Sequence, residues 1–320
     1  MGWKSTLKIG AMLVAIANTT AAMGADRVRV SAAHRALWDT GLPIAVAEKQ
    51  GFFSEENLNV DVTYVAGGPE AIQALIIGEQ DIAVAIGMLA SLGAISKGVP
   101  VKIIAPEFTG SDMYWFAKPS TGVKGLSDLA NKTVGHNLPG TAAHLAALAL
   151  NDASGGNAKL VMAGRMPDNL TQVLSDQIDV GYSVPPYALD RIESGELVLV
   201  ARGTELSALN KLTTRVVLAN SNFLEENRDV AVRYMRAIAK AHDWMYSNPD
   251  AVRKIYADLN GVSDSVAKTA IGFYSRENVQ LGTILGLEQS MELATEYGFL
   301  KAPLTAEKVA QAIDIVLPDN

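Results

Sequence analysis

VAGGPEAIQALIIGEQDIA, residues 65–83, sets two glycines and a proline ahead of an apolar-periodic run and ends at the start of another apolar stretch. Residues 163–181, AGRMPDNLTQVLSDQIDVG, follow the same plan at a constant offset of 98. Pro69 is matched by Pro167, Glu70 by Asp168, Ile72 by Leu170, Leu75 by Val173, Ile76 by Leu174 and Asp81 by Asp179. Ile72, Leu75 and Ile76 fall at i, i+3 and i+4, which is one buried face of a helix with proline in its first turn. Each copy reads as strand, turn, helix, strand. Solenoids need at least three repeats, so two copies point to a two-lobed protein.

The surrounding pattern agrees. Residues 28–31 and 58–65 read as strands and 42–50 as a helix with Pro43 near its start; 81–86, 89–97 and 101–105 then read as strand, helix and strand. That βαβαβαβ order predicts a largely parallel sheet with helices on both faces. Around the second copy, strands are expected at 132–135, 160–163, 178–182 and 197–201, and helices at 141–151 and 186–193. Residues 113–117 lead into this run and 214–219 lead out. The fold class is therefore α/β, two doubly wound lobes joined by two crossing strands, with lobe 1 formed by 26–110 and 216–320 and lobe 2 by 111–215. Everything after Ser221 reads as helix: 223–246, 249–259 behind the cap Asn248, then 264–274, 286–297 and 305–316.

The first 25 residues read as an export signal. Lys4 and Lys8 precede the short apolar stretch 9–17, and residues 19–25 supply small side chains for cleavage after Gly24 or Ala25. The apolar stretch is far too short to span about 30 Å of hydrocarbon. Removing this segment takes away two lysines and no acid, which moves the net charge from −7 to −9. An acidic chain of this kind argues against nucleic acid and anionic membranes as partners. There is no cysteine, hence no disulfide, no thiolate chemistry and no lipid-anchoring cysteine. The expectation is a diffusing, monomeric periplasmic protein that is not a lipoprotein.

Catalytic and cofactor motifs are scarce. Neither G-x-x-x-x-G-K-[ST] nor G-x-G-x-x-G occurs, and 135–141, GHNLPGT, lacks the phosphate-reaching lysine, so no nucleotide cofactor is expected. The four histidines are dispersed without H-E-x-x-H spacing, so no metal is expected; His136 and His144 are the nearest pair. Gly181-Tyr-Ser183-Val-Pro185 lies where a nucleophile elbow would, which keeps a serine hydrolase using Ser183 as an alternative. Against it, proline stands where the strained turn requires glycine, and His242 inside a long helix is the only later histidine. The chain reads as a non-enzyme.

Several stretches resemble the extracytoplasmic substrate-binding proteins of ABC importers, in the sulfonate, taurine, nitrate and thiamine-pyrimidine-precursor branch (SsuA/TauA/NMT1-THI5-like). They are residues 43–53 (PIAVAEKQGFF), 56–60 (ENLNV), Gly67-Gly68, 71–75 (AIQAL), 78–82 (GEQDI) and Asn222-Phe223, in that order. The resemblance implies a type II-like two-lobed clamp that holds a small solute in its cleft and delivers it to a permease and ATPase complex. Pyrimidine-precursor binding or synthase-like proteins share the fold, although the synthases rely on a cysteine-rich motif that this chain lacks. Many relatives carry Trp-Glu before the Pro-Tyr-Ala found here at 186–188, where this chain has Val184-Pro185. Simple sulfonates or carboxylates are thereby favoured over zwitterions such as taurine.

In such a sheet, ligands sit beyond the carboxyl ends of the strands. Those positions are the loop 34–40, Gly67-Gly68, Gly87-Met88, 136–141, 164–166 and 183–185. The candidate ligand-binding residues are Trp38 as aromatic contact, Gly67, Gly68, Gly87 and Gly140 as bare backbone, Met88, His136, Thr141, Arg165 as a cation, Ser183 and Val184. A helix amino terminus contributes about 0.3–1 kcal/mol toward an anion, whereas micromolar capture needs about 8 kcal/mol. Direct hydrogen bonds, a charge or aromatic burial must supply the rest.

Overall fold

The computed structural model describes Met1 and residues 24–317; the apolar stretch 9–17, read above as part of an export signal, lies outside the described residues. Two five-stranded sheets carry the fold. The first is built from β1 (Asp26–Ala32), β2 (Leu58–Tyr64), β3 (Ile82–Gly87) and β4 (Val101–Thr109). The second takes β5 (Tyr114–Ala117), β6 (Thr133–His136), β7 (Lys159–Met162), β8 (Val180–Ser183) and β9 (Val198–Arg202), after which β10 (Thr213–Asn220) returns to the first. Strand orders are β2-β1-β3-β10-β4 and β7-β6-β8-β5-β9, the same arrangement twice. Residues 213–215, placed in lobe 2 from sequence, belong to a strand of the first sheet.

The sheets are mixed rather than largely parallel. β10 runs antiparallel to β3 and β4, and β5 antiparallel to β8 and β9. In each sheet the reversed strand is the one that carries the chain between lobes, a direction that apolar patterning does not encode. Both reversed strands are buried along their whole length, which suits a fourth position in a covered sheet.

The two copies of the repeat superpose in function as well as in spacing. Helices Gly68–Ile76 and Met166–Leu174 begin and end at the same offset, each with proline in its first turn. Glu70 accepts a hydrogen bond from the Ala66 N–H at 2.6 Å, and Asp168 one from the Arg165 N–H at 3.2 Å. Asp81 accepts from the backbone N–H of Arg29 (2.8 Å) and from its guanidinium (2.5 Å), tying the start of β3 to β1. Asp179 ties β8 to β6 through the N–H (2.8 Å) and hydroxyl (2.7 Å) of Thr133.

The helical stretch Ser221–Ser247, kinked at Asn227, braces the first sheet, with Arg236 and Lys240 both paired to Glu56. Helices Pro249–Asn260, Asp264–Ile271, Leu287–Glu296 and Ala306–Ala312 follow. The last is shorter than the sequence suggests. Beyond it, Asp314 and Val316 donate to the carbonyls of Ile103 (2.9 Å) and Ile104 (3.0 Å), covering the edge of β4.

Candidate functional site

The carboxyl ends of β1, β3, β6 and β8 converge on a cleft between the sheets. Its inner chamber has a volume of about 90 Å³ and opens into a vestibule of about 800 Å³. Gly67, Gly68, Thr141, Arg165 and Val184 line the chamber. A Cβ at Gly67 or Gly68 would meet nothing within 4 Å, and neither residue occupies the left-handed region. The turn itself does not require glycine there; what their lack of side chains supplies is access to the start of helix Gly68–Ile76. Thr141 caps its helix by accepting the His144 N–H at 3.2 Å. Arg165 is exposed and forms no ion pair among the described residues, in contrast to the paired arginines elsewhere in the fold.

The other six candidates lie elsewhere. Trp38 is 1% exposed, stacked on Tyr274 at 5.6 Å and donating to the Tyr246 hydroxyl at 2.9 Å. Its short polar loop is folded under by three tyrosines that sequence separation hides. Ser183 is buried beside the Val184 carbonyl, and His242 lines a different, smaller cavity, so the two do not form a nucleophile–base pair. Burial pulls the His242 imidazole down to about 3. His136 and His144 face each other with ring centroids 4.8 Å apart. Burial lowers both, and His136 helps bring His144 to about 4.

Gly87 and Gly140 meet each other across the lobes. The Gly140 carbonyl accepts a hydrogen bond from the Ala90 N–H at 3.3 Å, and a Cβ at Gly87 would stand 2.4 Å from that same oxygen. Gly140 has φ +82° and the Phe299 ring would lie 2.7 Å from its Cβ. Met88 is buried next to Gly87.

The strongest group in the chamber is one that the apolar pattern of β10 obscures. Arg215 lines the chamber, with Nε 2.7 Å from Asp39 and Nη2 2.9 Å from Asp112, and all three side chains are at least nine-tenths buried. Its guanidinium also lies 4.5 Å over the Phe108 ring. Burial opposes its charge, but the two carboxylates outweigh this and hold it protonated. Tyr274 donates to Asp112 at 3.1 Å. A lone charge within the buried strand Thr213–Asn220 was the available sequence signal. Nearby, Ala85 adopts φ +61° in β3 and donates its N–H to buried Glu107, whose carboxyl is pushed well up by burial and by Asp39. His34, also on the chamber wall, is lowered to about 4 by burial and by Arg215 and Arg165, so it is neutral near pH 7.

Two crossing segments run beside this cluster. Gly110 donates to the Leu212 carbonyl at 2.9 Å, and the hydroxyls of Thr109 and Thr213 meet at 3.1 Å. Residues 110–113 and 212–215 thus pass from lobe to lobe side by side.

The NMT1/THI5 like family model matches residues 40–252. The chain is 26% identical over 244 residues to the putative binding protein YtlA of Bacillus subtilis, covering 74% of this chain and 72% of that one. It is 23% identical over 235 residues to a 4-amino-5-hydroxymethyl-2-methylpyrimidine phosphate synthase, THI11, of Saccharomyces cerevisiae, covering 68% and 67%. Among solved structures, the alkanesulfonate-binding protein SsuA from Xanthomonas axonopodis pv. citri, bound to MOPS, is similar with a TM-score of 0.70 at 15% identity, over 91% of this chain and 98% of that one. The shared fold is the two-lobed periplasmic-binding-protein fold with a helical carboxyl-terminal region.

Proposed function

The chain belongs to the NMT1/THI5-like family, and we propose that it is the extracytoplasmic solute-binding component of an ABC importer, capturing a small organic anion of sulfonate or carboxylate type. The observation that carries this reading is the donor set of the chamber, led by Arg165, which forms no ion pair among the described residues. The chamber wall includes Arg165 and Arg215 and no aspartate or glutamate among the described residues. With the open amino end of helix Gly68–Ile76, it offers guanidinium and backbone N–H groups to one anion.

In this reading the protein is exported with removal of its first 24 or 25 residues, works as a monomer in the periplasm, and hands solute to a membrane permease with its ATPase. The anion engages both lobes and shifts an open–closed equilibrium by its greater affinity for the closed form. The hinge is the paired crossing at 110–113 and 212–215, where the chain passes between the lobes. No chemistry is performed on the solute. Similarity to a pyrimidine phosphate synthase favours a pyrimidine precursor as a second ligand class.

A thermal-shift panel of alkanesulfonates, aromatic sulfonates, aromatic carboxylates, nitrate and pyrimidines tests the reading. The expected hit is a sulfonate or carboxylate that raises Tm by several degrees at millimolar concentration. A response confined to pyrimidines, or turnover of any ligand, would replace it.

A further inference from the structure

Arg215 faces two carboxylates with one positive charge, so the buried cluster at the base of the chamber already carries an excess negative charge when both Asp39 and Asp112 are ionised. An anion entering the chamber would bring a second. Desolvated like charges at this spacing cost several kcal/mol unless one is neutralised. Resting on the anion reading above, we propose that capture is coupled to proton uptake at Asp39. The incoming anion takes over the guanidinium of Arg215, and Asp39 accepts one proton from solvent to become the neutral acid.

The surroundings single out Asp39 rather than its neighbours. Both carboxylates share the Arg215 guanidinium that the anion competes for, but Asp112 also accepts from the Tyr274 hydroxyl, whereas the one cation beside Asp39 is that guanidinium. Asp39 also borders a small cavity with Glu107 from β4 and with Tyr234 and His242 from helix Ser221–Ser247. Tyr246 and Tyr256 approach from the aromatic cluster around Trp38, and Thr40 adjoins it in the chain. None of these adds a positive charge: burial and Asp39 push the Glu107 carboxyl well up, and burial holds His242 neutral. Burial first, and then Asp112, push Asp39 up to about 6 against the opposing pull of Arg215, so a further negative charge carries it through neutral pH. His34 is the rival acceptor, because an anion would also relieve the repulsion it feels from Arg215 and Arg165.

Calorimetric titration with ethanesulfonate, and with benzoate as the carboxylate counterpart, decides the matter. It is run near pH 7 in two amine buffers of different ionisation enthalpy, since sulfonate buffers would compete. The expected result is uptake of about half to one proton per anion and an affinity that falls severalfold between pH 6 and 8. Asp39→Asn should abolish the uptake and flatten the pH profile, while His34→Gln should retain both. Binding without uptake, uptake that survives Asp39→Asn, or uptake lost in His34→Gln overturns the proposal. Should Asp39→Asn not fold, the wild-type proton count and His34→Gln still decide. If neither anion binds at any pH, the anion reading falls and this inference with it; binding without uptake removes only the inference.

Discussion

Helices Gly68–Ile76 and Met166–Leu174 occupy matching places in the two lobes, yet they present different chemistry to the cleft. Their shared residues are those that build: a proline that starts each helix, an acid that staples its first turn, and an aspartate that ties the next strand to its neighbour. They part at the chamber wall. Gly67-Gly68 leaves the backbone bare, and Arg165-Met166 offers a guanidinium and a thioether over the same chamber. Internal similarity here follows packing, and the copies diverge at positions that line the chamber.

The comparison can be broken at the building positions first. Asp81→Asn should cost about 2 kcal/mol in urea denaturation, because it weakens a backbone bond and a bidentate guanidinium contact together. Asp179→Asn should cost about 1 kcal/mol, since only the N–H and hydroxyl of Thr133 are at stake. Equal losses would mean that the two ties are energetically interchangeable. At the divergent positions the effect moves from stability to affinity. Gly68→Asp should weaken anion binding about tenfold through like-charge repulsion and leave Tm within a few degrees, because its Cβ enters open space. Unchanged affinity would take helix Gly68–Ile76 out of the site. Smallest is Arg165→Ala, with an expected loss of about fivefold that shrinks further in high salt, as suits an exposed guanidinium. A salt-independent loss would indicate packing rather than charge.

Stability should also depend on pH through Asp39. Its folded pKa is raised from 3.8 to about 6, so the folded state binds this proton more tightly than the unfolded chain does. The contribution is fully present below pH 4 and is lost as pH rises through 6, by about 3 kcal/mol. Asp39→Asn should remove that part of the stability profile in denaturation measured from pH 4 to 8; an unchanged profile would assign the slope to other groups.

Local pattern was enough to read the helices and most strands, since their buried faces follow periods of 3.6 and 2, and the offset of 98 betrayed the doubling. Direction was not legible. The reversal of β5 and β10 depends on where the chain must cross, and the edge pairing of residues 313–316 with β4 arises from contacts some two hundred residues away in sequence. The chamber wall is legible where loops leave strand ends, because the topology puts them there, which covers Gly67, Gly68, Thr141, Arg165 and Val184. Trp38 was misplaced because nothing in its own loop announces Tyr246, Tyr256 and Tyr274. Arg215 escaped because a charge in a buried strand gains meaning only once Asp39 and Asp112 are seen beside it.

The meeting of Gly87 with Gly140 sets a mechanical stop. On that side the lobes touch main chain to main chain, with the Phe299 ring packed behind, and no side chain remains to be squeezed out. The height of the chamber is therefore dictated by the scaffold and not by its occupant. Under the proposed clamp, a solute smaller than the chamber would not draw the lobes tighter, and one too large would prop them apart. Discrimination by size would then rest on two residues that need never touch the solute.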